Sequence, residues 1–406
     1  MSRYYNIQVF SRDKFICAPH KWVMNTTDPA RFFIVYPMDL EDLGLRELEE
    51  KFKLHNPQTP LIIIAVICGG IEIECPLYMG LNLNRILRTP TRILLRLAEF
   101  KCRDAPKLYQ KMSKFNWAPW LLGQIPEVTS AAKNSRLFDS RKIDKAIQDG
   151  VAQYYRHKPV KKRYLDHLEV AKAQALPKIY FRTEDDSCTL SIDTTGERMH
   201  LRGEKILTGL APIRENLAAL LLIELRSHVK STDITLIDPM SGSGTFLIEA
   251  KNSNKVTENR DFSFLHMPLA IDSLAFFNNS IEETKITFFQ AFVGFDINAE
   301  VVAQSKINAP EIDFSCVDLF SKSPHTYKNP VVIMNPPYGI RVGENINLEY
   351  FYKIIESVKN KFNPEILGII IPDDYKMKTN SDFKILKARP FKNGGIEVTF
   401  YVLGFK

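Results

Sequence analysis

The sequence predicts an α/β protein: a doubly wound parallel sheet in the second half, preceded by smaller α+β modules. Three observations carry this. From about residue 205, β-branched runs alternate with helix-like segments, the pattern of parallel strands joined by covering helices. Before that point, strands cluster in pairs around single helices. A chain of 406 residues also exceeds one ordinary core, which calls for about two or three domains.

Phe32-Phe33-Ile34-Val35-Tyr36 opens the first half as a strand, being β-branched and aromatic. Asp39 to Phe52 follows as a helix, with Leu40, Leu43, Leu45 and Leu48 at helical spacing and acidic residues between them. Leu61–Cys68 and Gly70–Cys75 form a strand pair turned at Gly69-Gly70. A second module runs from a helix over Arg85–Phe100, through another over Asp139–Tyr155, to a strand at Lys178-Ile179-Tyr180-Phe181. Between these last two, His157-Lys-Pro-Val-Lys-Lys-Arg163 reads as a solvent-exposed basic connector.

In the second half the expected strands are Thr235–Met240, Phe292–Ile297, Ile312–Val317, Val331–Met334 and Leu367–Ile371. Helices fit between most of them, at Gly244–Lys251, Glu300–Ala309 and Glu349–Phe362. Gly395–Phe405 alternates as an edge strand should.

Composition narrows the function classes. With 45% hydrophobic and 25% charged residues, the chain is a soluble globular type. Its longest strongly apolar run, Leu61 to Cys68, falls well short of the ~20 residues of a membrane helix. Met1–Trp22 mixes Arg3, Arg12, Asp13 and Lys14 with apolar residues, unlike a signal peptide. Six cysteines (17, 68, 75, 102, 188 and 316) include no Cys-x-x-Cys pair and no His at zinc spacing. Reduced thiols in a cytoplasmic protein with no metal and no membrane partner are therefore expected.

Charge is unevenly spread. Residues 1–200 hold 31 Lys and Arg against 23 Asp and Glu, a net of +8, while the rest carries −1. Residues 81–170 alone hold 19 against 8, a net of +11. A block of this kind fits a polyanion, because each neutralised phosphate releases counterions.

The chemistry-bearing residues lie in the second half. Asp238-Pro-Met-Ser-Gly-Ser-Gly-Thr245 marks the turn from the first strand to the first helix. Gly242 and Gly244 let the backbone come close to a ligand there, with Ser241 and Thr245 beside them as candidate contacts. The third glycine of the dinucleotide fingerprint is missing, so taken alone the loop indicates a nucleotide-like cofactor and no more. Asp296 ends the second strand, placed to accept both hydroxyls of a ribose. It lies 58 residues after Asp238, which implies an insertion over roughly 252–287. Asp318 ends the third strand, placed to accept from an adenine amino group.

Asn335-Pro336-Pro337-Tyr338-Gly339 ends the fourth strand. The amino group of a nucleobase is a poor nucleophile, because its lone pair is delocalised into the ring. A site that accepts from both of its N–H groups turns that lone pair toward an incoming methyl. The Asn335 side-chain oxygen and the Pro336 carbonyl suit this task, and two prolines preorganise them. Tyr338 suits stacking on a base taken out of its helix.

The chain resembles the RlmL-type bacterial 23S rRNA guanine-N2 methyltransferases. The resemblance rests on Asp238-Pro-Met-Ser-Gly-Ser-Gly-Thr-Phe-Leu-Ile-Glu-Ala250, Ala211-Pro-Ile-Arg-Glu-Asn216 and Asn335-Pro-Pro-Tyr-Gly339. It continues through His200-Leu-Arg-Gly203, Gly209-Leu210, Glu99-Phe-Lys101, Ser135-Arg-Leu137 and Phe32-Phe33, covering residues 31–406. It implies a Rossmann-like class I methyltransferase domain at 200–406, preceded by a ferredoxin-like domain at 31–75 and an RNA-gripping THUMP domain at 76–195. Residues 1–30 match nothing and stand as an extension. S-adenosyl-L-methionine is the implied cofactor. Asp238, Gly242 and Thr245 would line its methionine end, Asp296 its ribose and Asp318 its adenine. Pro212 and Asn216 would close the pocket, and Asn335 to Tyr338 would hold the guanine. The implied partner is RNA, 23S rRNA or a large-subunit precursor. Arg85, Arg88, Arg92, Arg96, Arg136 and Lys142 are the candidate contacts in the basic block. Some family members carry a second domain making 7-methylguanine, and only the N2 activity carries over to this chain.

Alternatives are a tRNA guanine-N2 methyltransferase of the same modules, an adenine-N6 DNA methyltransferase, and a non-catalytic RNA-binding assembly factor. The N-terminal modules weigh against the second, and the intact acids and 335–338 loop against the third.

Overall fold

Two seven-stranded sheets organise the chain, one in each half. The computed structural model describes residues 25–405 apart from 165, 168–175, 204–212, 259, 274–276, 278–280, 282, 284–286, 322–325 and 339–346.

The first sheet is built from β1 (Pro29–Val35), β2 (Ile62–Ile67), β3 (Gly70–Pro76), β4 (Arg92–Lys101), β5 (Glu127–Lys133), β6 (Lys178–Glu184) and β7 (Ser187–Asp193). Its order is β2-β3-β1-β4-β7-β6-β5. The antiparallel β1–β4 pairing, with Phe32 opposite Leu95 and Ile34 opposite Ile93, puts strands from both sides of residue 76 in one continuous sheet.

The stretch expected as a helix over Arg85–Phe100 differs. The helix is Leu77–Ile86, and β4 starts at Arg92. Arg85, Arg88, Arg92 and Arg96 recur at helical spacing, but Pro90 interrupts the run and cannot occupy a helix interior. β4 is also central in the sheet, so Ile93, Leu94 and Leu95 are all buried and the two-residue alternation is erased.

The second sheet contains β8 (Thr235–Asp238), β9 (Ala291–Asp296), β10 (Asp313–Cys316), β11 (Pro330–Met334), β12 (Ile366–Pro372), β13 (Phe383–Asn393) and β14 (Ile396–Phe405). Its order is β10-β9-β8-β11-β12-β14-β13, with the first five strands parallel and β14 antiparallel to both β12 and β13. Alternate residues feed two cores. Leu236, Val331 and Ile333 face the helices Glu215–Arg226 and Thr245–Lys251, while Ile237, Val332 and Met334 face the helix Leu348–Phe362. β14, expected at the edge, lies between β12 and β13. The edge strand β13 escapes a hydrophobic reading because Lys384, Lys387, Arg389 and Lys392 face water or ion pairs and Pro390 sits within it. An edge tolerates both features.

By packing, the chain divides into two units that do not follow its order. The first holds 1–36, 49–199 and 257–281; the second holds 37–48, 200–256 and 282–406. Most of the segment expected as an insertion in the second-half domain thus packs with the first unit. Phe262 and Phe264 are fully buried there, and the Phe264 amide donates to the Thr194 carbonyl at 3.1 Å.

Candidate active site

Parallel pairing sends the ends of β10, β9, β8 and β11 to one edge of the sheet. Cys316 sits beside Asp296, and Asp238 beside Gly294. Asp318, Asp296, Asp238 and Asn335 therefore follow one another along that edge in sheet order. Neighbouring strands are ~4.8 Å apart, so the row spans roughly 14 Å.

Asp238 closes β8, and its Oδ1 accepts from the Met240 amide at 3.1 Å, turning the chain into the glycine loop. Burial pushes its carboxyl well above the ordinary range and the nearby Asp296 adds to this, while the Met240 N–H opposes it. Asp296 clamps the loop from the neighbouring strand, accepting from the Gly242 amide at 3.0 Å on Oδ2 and from Asn298 at 2.9 Å on Oδ1. Gly242 (φ +50°) and Gly244 (φ +82°) are left-handed. A Cβ on Gly242 would meet nothing within 4 Å, so the loop faces open space there. Thr245 is buried at the start of its helix, and Asn216 is buried in the first turn of Glu215–Arg226. Pro212 lies outside the described residues.

Several supports were not read from sequence. Ser305 Oγ donates to the Gly242 carbonyl at 2.5 Å, and Asn308 Nδ2 donates to that of Ser243 at 3.3 Å. Lys361 Nζ, on a largely buried side chain, donates to the Asp318 carbonyl at 2.8 Å and to Ser321 Oγ at 2.7 Å. Arg202 of the His200–Gly203 motif pairs with Glu249 of the glycine-loop motif at 3.2 Å, both side chains buried. No local pattern distinguishes these residues from ordinary helix-face or turn residues.

Pro336 is buried, Asn335 half-buried and Pro337 exposed. Tyr338 packs on the core, and its hydroxyl accepts from Asn393 Nδ2 at 2.7 Å; burial raises its pKa and that bond opposes the rise. Gly339 lies outside the described residues. Asn335 Oδ1, Ser241 Oγ and Ser243 Oγ are buried with no hydrogen-bond partner among the described residues. Leaving such a group unmade costs about 1–3 kcal/mol, which makes each a candidate contact for a ligand. Three carboxylates and these three oxygens make the edge acceptor-rich. It would repel a polyphosphate but suits a ligand carrying an ammonium, a diol and an amino group.

The six proposed RNA contacts separate into two groups. Arg88 is 2% exposed and Arg85 8%. Arg92 pairs with the buried Asp193, and Arg96 with Glu72 at 3.4 Å. These four brace the fold rather than face solvent, because a strand and not a helix carries Arg92 and Arg96. Arg136 and Lys142 are exposed. Among the described residues no cluster could hold a metal ion and no helix is long and apolar enough to cross a membrane. Cys68, Cys75, Cys102, Cys188 and Cys316 are free.

Residues 202–401 match the model of the family described as UPF0020: RMKL-like, methyltransferase domain. A relative from Colwellia psychrerythraea, named ribosomal RNA large subunit methyltransferase K/L, is 27% identical over 81% of this chain and 47% of its own length. The chain thus spans about half the length of the curated relatives it matches. Among solved structures, a predicted N6-adenine-specific DNA methylase from Listeria monocytogenes aligns with TM-score 0.71 at 22% identity, over 92% of this chain and 96% of that one. A putative methyltransferase, SMU.472, complexed with SAH, aligns with TM-score 0.66 at 23% identity, over 92% and 97%. These two likenesses establish the fold. Residues 202–401, with the glycine loop, the row of acids and the Asn-Pro-Pro-Tyr loop inside that span, are similar to the family of RMKL-like methyltransferase domains.

Proposed function

We propose that the protein is an S-adenosylmethionine-dependent enzyme that methylates the N2 amino group of a guanine in 23S rRNA, in the cytoplasm. The observation that carries this reading is Asn335 Oδ1, a buried acceptor with no partner among the described residues, at the end of a row of three acids. The name of the Colwellia relative supports the ribosomal substrate, and residues 76–195 would serve as the RNA-gripping THUMP domain behind the 31–75 module.

When bound, S-adenosylmethionine supplies a methyl group activated by a positively charged sulfur. Asp318 would accept from the adenine amine, Asp296 from the ribose hydroxyls, and Asp238 from the ammonium, with Ser241 and Thr245 beside it. Asn335 Oδ1 and the Pro336 carbonyl would take the two N–H groups of the guanine amine and aim its lone pair. Tyr338 would stack on the base, its ring fixed by Asn393. Positioning and preorganised acceptors supply the catalysis, and no nucleophilic side chain is needed.

Nucleoside mass spectrometry of rRNA and tRNA from a strain lacking the gene tests the reading. N2-methylguanosine should fall in 23S rRNA and return with the wild-type gene. The Asn335→Ala chain should bind S-adenosylhomocysteine normally but transfer methyl roughly 10²–10³-fold more slowly, as when one preorganised group is removed. Unchanged 23S rRNA with loss from tRNA would reassign the substrate, and full activity of Asn335→Ala would end the mechanism.

A further inference from the structure

With Arg85, Arg88, Arg92 and Arg96 turned to bracing, the positive surface of the first unit must come from other residues. Two short segments carry it. Residues 101–114 contain Lys101, Arg103, Lys107, Lys111 and Lys114 against the single acid Asp104. Residues 156–163 contain Arg156, Lys158, Lys161, Lys162 and Arg163 with no acid. All ten are exposed.

The fold brings the carboxyl-terminal end of the first segment beside the second. Lys107, Lys111 and Lys114 recur along the helix Ala105–Lys114 at the spacing of a single face, opposite the buried Leu108 and Met112. Beyond its end, Asn116 accepts from the Tyr154 hydroxyl at 2.7 Å. The Tyr155 hydroxyl donates to the Leu121 carbonyl at 2.6 Å. The helix Ser140–His157 is thereby tied, at the end that leads into Lys158–Arg163, to the stretch following Lys114.

Few of these charges are satisfied internally. Arg103 pairs with Asp186, Lys107 with Asp104 and Arg163 with Asp272. Lys111 lies over the Phe100 ring and Lys158 over that of Tyr154. Among the described residues, Lys114, Lys161 and Lys162 have no carboxylate within 4 Å. Completing two helix dipoles accounts for a cation or two at each helix end. It does not account for ten.

We propose that this face, formed by 101–114 and 156–163, is the surface that holds the RNA phosphate backbone. The proposal rests on the RNA reading above and relocates its interface. Lysine dominates the face, which suits point-charge contact with phosphates rather than bidentate reading of bases. Binding here is consequently tolerant of sequence, while the choice of guanine is left to the Asn335 loop.

The test is fluorescence anisotropy with a labelled RNA stem-loop over a salt series. It compares the full chain with Lys158→Glu/Lys161→Glu/Lys162→Glu, and with the control Lys133→Glu/Lys145→Glu on the same unit. Loss of three phosphate contacts should shallow the plot of log K against log salt by about 2.7, at roughly 0.9 per contact, and raise Kd by about tenfold or more. The control should keep the wild-type slope, and all three proteins should melt alike. An unchanged slope in the triple variant overturns the proposal. So does a wild-type chain that ignores the stem-loop, and in that case capture of poly-glutamate by the same residues would assign the face to an acidic protein. Normal RNA affinity in the triple variant, with normal methylation by wild type, sinks only the surface. Lost affinity in the variant, with no methylation of any RNA by wild type, sinks only the reaction.

Discussion

Asp238 is the residue whose physics is most exposed to test. Its carboxyl is buried at the sheet edge beside Asp296, with one amide as donor, and its pKa lies well above the ordinary range. A raised folded pKa makes the protonated form favourable, so that contribution to stability is present at low pH and is lost as pH rises through the raised value. A ligand ammonium reverses the preference by favouring the ionised carboxylate. Affinity for S-adenosylhomocysteine, measured by titration calorimetry from acidic to neutral pH, should therefore rise with pH and then level off. Asp238→Asn should bind weakly with no such slope, and a slope that survives in that variant would remove Asp238 from the ammonium site. The places of Asp238, Asp296, Asp318 and Asn335 at the sheet edge were legible in the sequence because each ends or closely follows a strand. Ser305, Asn308, Lys361 and Asn393 were not, since what matters in them is a partner distant in sequence.

At the scale of elements, the glycine loop makes the sharpest demand. Gly244 has φ +82°, and a Cβ there would lie 2.8 Å from Phe314 Cζ on β10. Gly244→Ala combines a left-handed cost of about 1–2 kcal/mol with a contact against a buried ring. A fall in melting temperature and weakened cofactor binding should appear together; a variant melting like wild type would show that the loop relaxes freely. The parallel strands β8, β11 and β12 were readable because they are buried on both faces and so run almost continuously apolar. Failures came where another rule won. Arginines at helical spacing concealed β4, whose Arg92 and Arg96 are paired with acids. Edge lysines and a proline hid β13, and so put β14 in the wrong place.

For the whole molecule, the second half is not self-sufficient. Leu40 and Leu43 are fully buried in the same core as Leu217, Leu221 and Val398. Arg389 of β13 pairs with Glu224 and, at 2.9 Å, with Asp42, itself in the 37–48 segment. Arg389→Ala leaves Glu224 buried without this guanidinium, and breaking a buried pair from one side costs about 3–5 kcal/mol. A chemical denaturation midpoint within error of wild type would show that water reaches Glu224. Composition and charge announced two kinds of half, but packing exchanges pieces between them, and nothing local to 37–48 or 257–281 signals that.

That exchange bears on how the protein emerges during synthesis. The chain passes from one unit to the other five times, at 36/37, 48/49, 199/200, 256/257 and 281/282. The first unit lacks Phe262 and Phe264 until residue 281 has been made, long after its seven strands exist. The second waits for β13 and β14, the last strands of its sheet in sequence order. Each unit is therefore complete only after part of the other has been made, so neither can finish its core before synthesis has crossed into its neighbour.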